Sequence, residues 1–236
     1  MKSFLAILLA ALLPLAASAA DAVPKTAKPL NIGIIGTGDI GGALARHWDA
    51  AGHNLMISSR HPEQLVDLAM EIEPNATVGT PKEAAAFGDV VMLAVPYGAL
   101  PQIGKDYAAE LKGKVVMDAG NPYPSRDGDM AVRDRQRGTG VAVAEYLPGV
   151  RLVRAFNAIN AGPLAKEAFR KPERIGIPLA SDDAAAMDVA RQLVSDAGFD
   201  PVPVGKLARA REFDYGTPVY VRSYSAAELR KAFNLK

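Results

Sequence analysis

Gly36, Gly38 and Gly41 stand at the spacing G-x-G-x-x-G, directly after an aliphatic run over 31–35. In that spacing the first glycine permits a tight turn, the second lets a pyrophosphate approach the backbone, and the third lets a helix pack closely on its strand. The helix that follows presents N–H groups and a partial positive charge to phosphate oxygens. Thr37, Asp39 and Ile40 fill the same turn, and all six residues are candidates for holding a dinucleotide. NAD sites place an acid about 20 residues further on to bond the ribose hydroxyls. This chain has Ser59-Arg60-His61 there, with no acid between His53 and Pro62. A guanidinium forks onto a phosphate and a hydroxyl donates to it. Ser59 and Arg60, with His61 beside them and Thr37 facing them, therefore suit the 2′-phosphate of NADP. A solvated loop arginine is the alternative for Arg60.

Further candidates follow later aliphatic runs: Val95, Pro96 and Tyr97 after the fourth, Asn121 after the fifth and Asn157 after the sixth. Ligands of open α/β sheets bind beyond the carboxyl ends of the strands. Val95 and Pro96 are expected against a nicotinamide face, with Tyr97 walling the pocket. Asn121 and Asn157 are the catalytic candidates, bonding the carboxamide or a substrate carbonyl. Asn121-Pro122 also reads as a turn opener and Asn157 as a cap. Arg133, Arg135 and Arg137 meet either an anionic acceptor or solvent. Trp48 reads as a packing residue.

The 236-residue chain has no cysteine, which excludes disulfides, cysteine-ligated zinc, iron–sulfur clusters, thiol nucleophiles and a lipoprotein anchor. Its three histidines, His47, His53 and His61, fall in one short stretch, and no metal site is expected. Residues 1–20 carry one charge, Lys2, then an apolar run interrupted by Pro14, then small residues at 17–20. That is the build of a secretory signal peptide cleaved after Ala19 or Ala20, too short for a comfortable membrane span. The expectation is export to the periplasm by the Sec route, with no stable membrane anchor. Without residues 1–20 the charges balance, so nothing drives non-specific nucleic-acid binding. A homodimer is left open.

A short linker over 21–29 is expected before the folded part. Strands are expected at 31–35, 54–58, 77–79, 90–95, 114–118 and 151–156, with helices near 40–51, 62–71, 82–87, 98–111 and 140–147. This alternation marks an α/β fold, a doubly wound, mostly parallel Rossmann-type sheet. The nucleotide-binding domain is placed at 30–157. The remainder, 158–236, is read as a small C-terminal βαβ extension on the substrate side. Its strand at 175–180 leads to Ser181 as N-cap, a helix ending at Gly198 and a strand at 201–204. A short helix is expected near 225–233. The stretch 121–138 reads as an unusually long loop.

Taken together, Gly36-Thr37-Gly38, Ser59-Arg60, Ala94-Val95-Pro96, the run 116–122 ending in Asn121-Pro122, and the run 153–157 ending in Phe156-Asn157 resemble the NADPH-dependent deazaflavin-coenzyme reductase family. The same stretch is similar to the nucleotide-binding domain of the six-transmembrane metalloreductases. The resemblance runs from about Leu30 to Val204. It implies NADP bound at the strand ends and hydride passing to a small-molecule acceptor, a flavin, deazaflavin or metal chelate. That reaction requires alignment more than a dedicated acid or base, so a histidine-free C-terminal half is compatible with it. The family often adds a basic residue a turn after the Ser-Arg pair, where this chain has Gln64. A non-catalytic exported NADP-binding module, a partner or sensor domain, is the second reading.

Overall fold

Strands buried on both faces are written as unbroken aliphatic runs, because each successive residue meets a different apolar layer. The computed structural model describes Thr26 and residues 28–235. In it the runs form β1 (Asn31–Ile35), β2 (Asn54–Ser58), β3 (Ala76–Gly79), β4 (Val90–Leu93), β5 (Val115–Asp118), β6 (Arg151–Arg154), β7 (Gly176–Ser181) and β8 (Asp200–Gly205). They make one sheet in the order β3-β2-β1-β4-β5-β6-β7-β8. Pairing is parallel from β3 to β6 and between β7 and β8, and antiparallel between β6 and β7. The chain direction across the sheet reverses between β1 and β4, which opens a crevice at their carboxyl ends. β7 and β8 continue the same sheet beyond β6.

The helices are α1 (Asp39–Ala51), α2 (Val66–Glu71), α3 (Pro81–Phe87), α4 (Leu100–Asp106), α5 (Ala108–Leu111), α6 (Pro124–Arg137), α7 (Thr139–Tyr146), α8 (Ala161–Lys166), α9 (Ala184–Asp196) and α10 (Ala226–Ala232). Alternate strand residues feed two apolar layers. Ile32, Ile34, Met92, Met117 and Val153 pack with Trp48 of α1 and Leu193 of α9. Ile35, Val91, Leu93, Val116 and Leu152 pack with Ala84 of α3, Leu100 of α4 and Val143 of α7. Trp48 is fully buried, and its indole N–H donates to the Leu193 carbonyl at 2.8 Å, joining the first helix to the C-terminal unit.

Several local expectations are corrected. The stretch 121–138 is not a loop: most of it is α6, interrupted where Gly128 takes φ 58°. Side chains hold it in place. Asp127 accepts from the Gly98 N–H at 3.1 Å, and buried Asp134 accepts from the Tyr146 hydroxyl at 2.7 Å and the Tyr97 hydroxyl at 3.3 Å. Ser181 ends β7 and donates to the Leu152 carbonyl, so the N-cap of α9 is Asp183, which accepts from Ala186 N–H at 2.8 Å. The segment near 62–71 opens with a 3-10 turn over Pro62–Leu65, and the one near 98–111 breaks at Tyr107. The final helix, α10, starts from a reciprocal cap between Ser225 and Glu228.

The expected leader over 1–20 lies outside the described residues, as does most of the linker. Thr26 donates its N–H to Ala51 and, with Lys28, receives Gln192, so this part of the linker lies between α1 and α9. Among the described residues no helix is long and apolar enough to cross a membrane, and no cluster of three or more His, Cys, Asp or Glu is placed to hold a metal.

His53 ties the beginning of the sheet to α9. Its Nδ1 accepts the Leu30 N–H at 3.2 Å, so Nε2 carries the proton and donates to Asp196 at 3.0 Å. Burial lowers its pKa, against the pull of Asp196. Burial also lowers that of His47, whose Nε2 meets the Leu164 carbonyl. A buried histidine held neutral stabilises the fold at pH above its unfolded pKa of about 6.5 and loses that contribution as pH falls toward the lowered folded value. The urea midpoint of the protein is therefore expected to fall between pH 7.5 and 5.5, and to fall less in His53→Gln. Equal pH dependence in both proteins would show that His53 does not titrate on unfolding.

Candidate functional site: a dinucleotide crevice at the strand ends

β1 delivers the chain into the glycine turn at the reversal point of the sheet. Gly36 has φ +91°, and a Cβ there would stand 2.6 Å from the Ala94 carbonyl oxygen and 2.7 Å from Val95 Cγ1. No side chain fits that turn, and Val95 is thereby placed against the turn itself. A Cβ on Gly41 would meet the Gly36 carbonyl at 2.1 Å, so helix and strand approach as the spacing implies. Gly38 differs: it is exposed, and a Cβ there meets nothing within 4 Å. It caps α1 without any side-chain hydrogen bond to the helix. The first N–H groups of a 13-residue helix are therefore left without a side-chain cap, the arrangement an anion fits.

Around the opening, Thr37, Gly38 and Asp39 line a cleft of about 510 Å³ together with Arg46, Gln64 and Gly162. The Thr37 hydroxyl donates to the Ser58 carbonyl at 3.0 Å, and the Gly36 N–H donates to the same oxygen at 3.1 Å. Thr37 therefore locks the turn onto β2, and its proton is not free to meet a phosphate as expected. At the end of β2, Ser59 is half-buried and accepts the His61 N–H at 3.1 Å. Arg60 is exposed and has no ion pair or hydrogen bond among the described residues. His61 is exposed beside Glu63 at 3.4 Å. The sequence-predicted group from Gly36 to Gly41 and the pair Ser59-Arg60 are thus brought together at the carboxyl ends of β1 and β2.

Beyond β4 the outcome divides. Pro96 is exposed at the crevice end of the strand, whereas the Tyr97 side chain is wholly buried under α6 and its ring cannot wall a ligand pocket. Burial pushes its phenol well above the ordinary range. The aromatic body is apolar enough to enter the core, and Asp134 receives its hydroxyl there. Asn121 is half-buried, donates to the Asn157 carbonyl at 2.8 Å, and keeps Oδ1 closed from solvent without a partner. Asn157 is buried, with Nδ2 at 3.4 Å from the Phe213 carbonyl and Oδ1 likewise unpartnered. Asn157 thus sits beneath the segment 213–217 rather than at the surface of the crevice. Phe156, just before it, takes φ 60° and packs edge-on against Trp48.

The floor of this region is an ion network that sequence reading passed over. Arg154, at the end of β6, is fully buried and bonds the Asp118 carboxylate, the Gly120 carbonyl at 2.8 Å and, at 3.6 Å, the Asp214 carboxylate. Asp118 also accepts the Gly120 N–H at 2.9 Å, and Asp214 accepts the Thr139 N–H at 3.0 Å. Burial pushes the Asp118 carboxyl up, against the pull of Arg154 and the Gly120 N–H. Burial opposes the charge on Arg154 too, but the two acids prevail and keep it protonated. The available signal was a charge closing each of two strands directly after aliphatic residues, Asp118 after Val115-Val116-Met117 and Arg154 after Leu152-Val153. Asp214 and Thr139 gave none, because their roles depend on a contact across 75 residues.

Crevice, glycine turn, a helix N-terminus without a side-chain cap and an Arg60 without a partner among the described residues are the features of a Rossmann-class dinucleotide site, and its relatives make the protein an NADP-dependent oxidoreductase. Residues 31–122 match the family described as NADP oxidoreductase, coenzyme F420-dependent. The chain is 30% identical over 217 residues to the F420-dependent NADP reductase of Methanothermobacter thermautotrophicus, an alignment spanning 86% of this chain and 93% of that one. It is 29% identical over 199 residues to the rat metalloreductase STEAP3, covering 81% of this chain but only 37% of the relative. A crystal structure of a Sinorhizobium meliloti protein matches with a TM-score of 0.71 at 29% identity, covering 84% of this chain and 95% of that one. The chain belongs to the family of coenzyme F420-dependent NADP oxidoreductases.

Two outcomes follow from the geometry. Gly38→Val should leave the thermal transition close to that of the wild type, since a Cβ there has no protein atom within 4 Å, and should abolish NADPH binding by fluorescence titration; undiminished binding would place the pyrophosphate elsewhere. Arg154→Met leaves Asp118 and Asp214 buried without their cation, which typically costs about 3–5 kcal/mol, and a urea denaturation curve should show a loss of that order.

Proposed function

We propose that this protein transfers hydride between NADP(H) and a flavin-like, deazaflavin or metal-chelate acceptor, above the carboxyl ends of β4, β5 and β6. The observation that carries the reading is the pairing of an α1 N-terminus without a side-chain cap, open at Gly38, with an exposed Arg60 just beyond β2 that has no partner among the described residues. One receives a pyrophosphate and the other the 2′-phosphate that distinguishes NADP from NAD. When bound, NADPH would supply a hydride, two electrons with one proton; a flavin-type acceptor takes its second proton from solvent, whereas for a metal chelate the two electrons reduce two metal ions by one each and the proton is released to solvent.

The remaining residues align rather than react. Asn121 is held beside the crevice by its bond to the Asn157 carbonyl, and its Oδ1, closed from solvent and without a partner among the described residues, would meet a carboxamide N–H only after the side chain turns outward. Val95, against Gly36, and exposed Pro96 present an apolar edge between the glycine turn and Asn121. Geometric alignment of this kind is the main thing hydride transfer asks of a protein. The relatives named above support both kinds of acceptor, one being an F420-dependent reductase and the other a metalloreductase. The composition of residues 1–20 supports an exported protein, so the proposal places this chemistry in the periplasm.

Cofactor choice tests the reading. A charge-assisted hydrogen bond contributes about 1.5–3 kcal/mol, or about 10- to 150-fold in affinity. Arg60→Ala should weaken NADPH by about that factor and leave NADH nearly unaffected, and added salt should erode the wild-type preference because the contact is exposed. Parallel fluorescence titrations measure it; equal losses for both cofactors would make Arg60 a structural arginine and overturn the assignment.

A further inference from the structure

The Asn121 amide donates to the Asn157 carbonyl at 2.8 Å, which ties the segments leaving the carboxyl ends of β5 and β6 side by side. A second tie lies just beyond it. Tyr123 follows Asn121 by two residues. On the other side, the Val221 N–H donates at 2.9 Å to the carbonyl of Ala158, one residue past Asn157. The hydroxyls of Tyr123 and of Tyr220, the neighbour of Val221, meet at 2.6 Å. The phenol pair is therefore anchored on the same two strand ends as Asn121 and Asn157.

Both rings are fixed in place. The Arg126 guanidinium lies over Tyr123, 5.0 Å from the ring centre, and donates to the Asn121 carbonyl at 2.7 Å. Tyr215 packs edge-on against Tyr123 at 4.9 Å and against Tyr220 at 5.4 Å. These ring contacts hold the segment 215–220 to the start of α6 without help from the hydroxyls. A single hydrogen bond between two hydroxyls uses one of their two protons. Whichever oxygen donates, the other keeps an O–H with no acceptor among the described residues. Burial and the Tyr123 hydroxyl push the Tyr220 phenol well above its ordinary range, so it stays protonated and able to donate at neutral pH. Both side chains are only half-buried, which leaves that O–H within reach of a ligand in the crevice.

A planar ring that takes a hydride becomes an anion, with the new charge drawn onto its carbonyl oxygen and ring nitrogen. A fixed O–H donor at that charge bonds the reduced ring more strongly than the oxidised one, and such a difference lowers the barrier to reduction. We infer that the Tyr123–Tyr220 hydroxyl pair donates a hydrogen bond to the acceptor ring and stabilises the negative charge that hydride transfer places on it. The inference rests on the hydride-transfer reading and deepens it, because it names catalytic residues and favours a ring acceptor over a chelate. In the step itself a C–H bond of NADPH breaks, NADP+ is left, and the hydride forms a new bond on the ring, which gains two electrons and one negative charge. The phenol protons stay on their oxygens, and the proton that later neutralises the ring comes from solvent.

Riboflavin serves as the probe. The full chain, saturated with tetrahydro-NADPH, which cannot give up a hydride, is dialysed anaerobically to equilibrium against oxidised riboflavin and against riboflavin reduced with dithionite. The wild type should hold the reduced form at least about 10-fold more tightly, and in Tyr123→Phe/Tyr220→Phe, which keeps both rings, that ratio should fall to about one through loss of the reduced form alone. With NADPH as donor, the same variant should lose about 100-fold in kcat for riboflavin reduction while KM changes little. Its NADPH affinity and thermal midpoint should match the wild type. If the double variant does not fold, each single variant carries the same comparison and should lower the ratio. An unaltered ratio, a wild type that binds neither form or both equally, or parallel losses of oxidised riboflavin, reduced riboflavin and NADPH in the variant overturns the inference. The two readings fail separately. A hydroxyl-dependent preference for reduced riboflavin without any NADPH oxidation supports the donor pair and sinks the reaction, whereas NADPH oxidation at equal kcat in both proteins does the reverse.

Discussion

A single buried guanidinium organises the half of the crevice that lies away from the glycine turn. Arg154 closes β6, faces the carboxylate that closes β5, and reaches Asp214 in the segment that folds back from β8. Charges taken out of water are costly unless each is matched by charge and hydrogen bonds. Here the guanidinium and its matching groups come from three separate parts of the chain, β6, the end of β5 and the segment at Asp214, so the charge is satisfied only when all three are in place. Thr139 adds an N–H and a hydroxyl to Asp214, which draws the start of α7 into the same arrangement. Such a network is a device for specificity rather than a large net source of stability, because a well-packed apolar core can do as well energetically. Its consequence is positional: it sets the segment that begins at Phe213 over Asn157, whose carbonyl in turn holds the Asn121 amide.

The other half of the crevice depends on close backbone approach. Gly36 touches the end of β4, Gly41 touches Gly36, and Thr37 bonds the end of β2, so the turn is fixed against both neighbouring strands before any ligand arrives. A fixed turn holds the N–H groups of α1 in one direction. That pre-organisation is worth affinity, because a ligand does not then have to order the loop that binds it. The anion-binding end and the network around Arg154 are joined through the packed layer of Trp48, Phe156 and Leu193.

Two aspartates show how side chains turn a hydrophilic stretch into structure. The segment from Pro124 to Arg137 is polar, proline-initiated and interrupted by glycine, and its own propensity favours a loop. Asp127 and Asp134 bind the turn after β4 and the hydroxyls of Tyr97 and Tyr146, and each bond is made to a residue distant in sequence. The helix therefore forms because tertiary contacts hold it.

The sequence by itself determined the sheet, the glycine turn and the cation at the end of β2, because each depends on residues within a few positions of one another. Aliphatic runs of strand length, G-x-G-x-x-G between strand and helix, and the lack of an acid before Pro62 all carry their meaning locally. Tertiary structure decided what those patterns left open. Tyr97 stood next to Pro96 in the sequence as an equal candidate, yet the twist of one 3-10 turn sends its ring into the core beneath α6. Thr37 looked like a donor for phosphate until the end of β2 came within hydrogen-bond distance. Asp214 and Thr139 had no local pattern at all. Their significance arises only when residues far apart in the chain share one desolvated space, where an unmatched charge must find its partner.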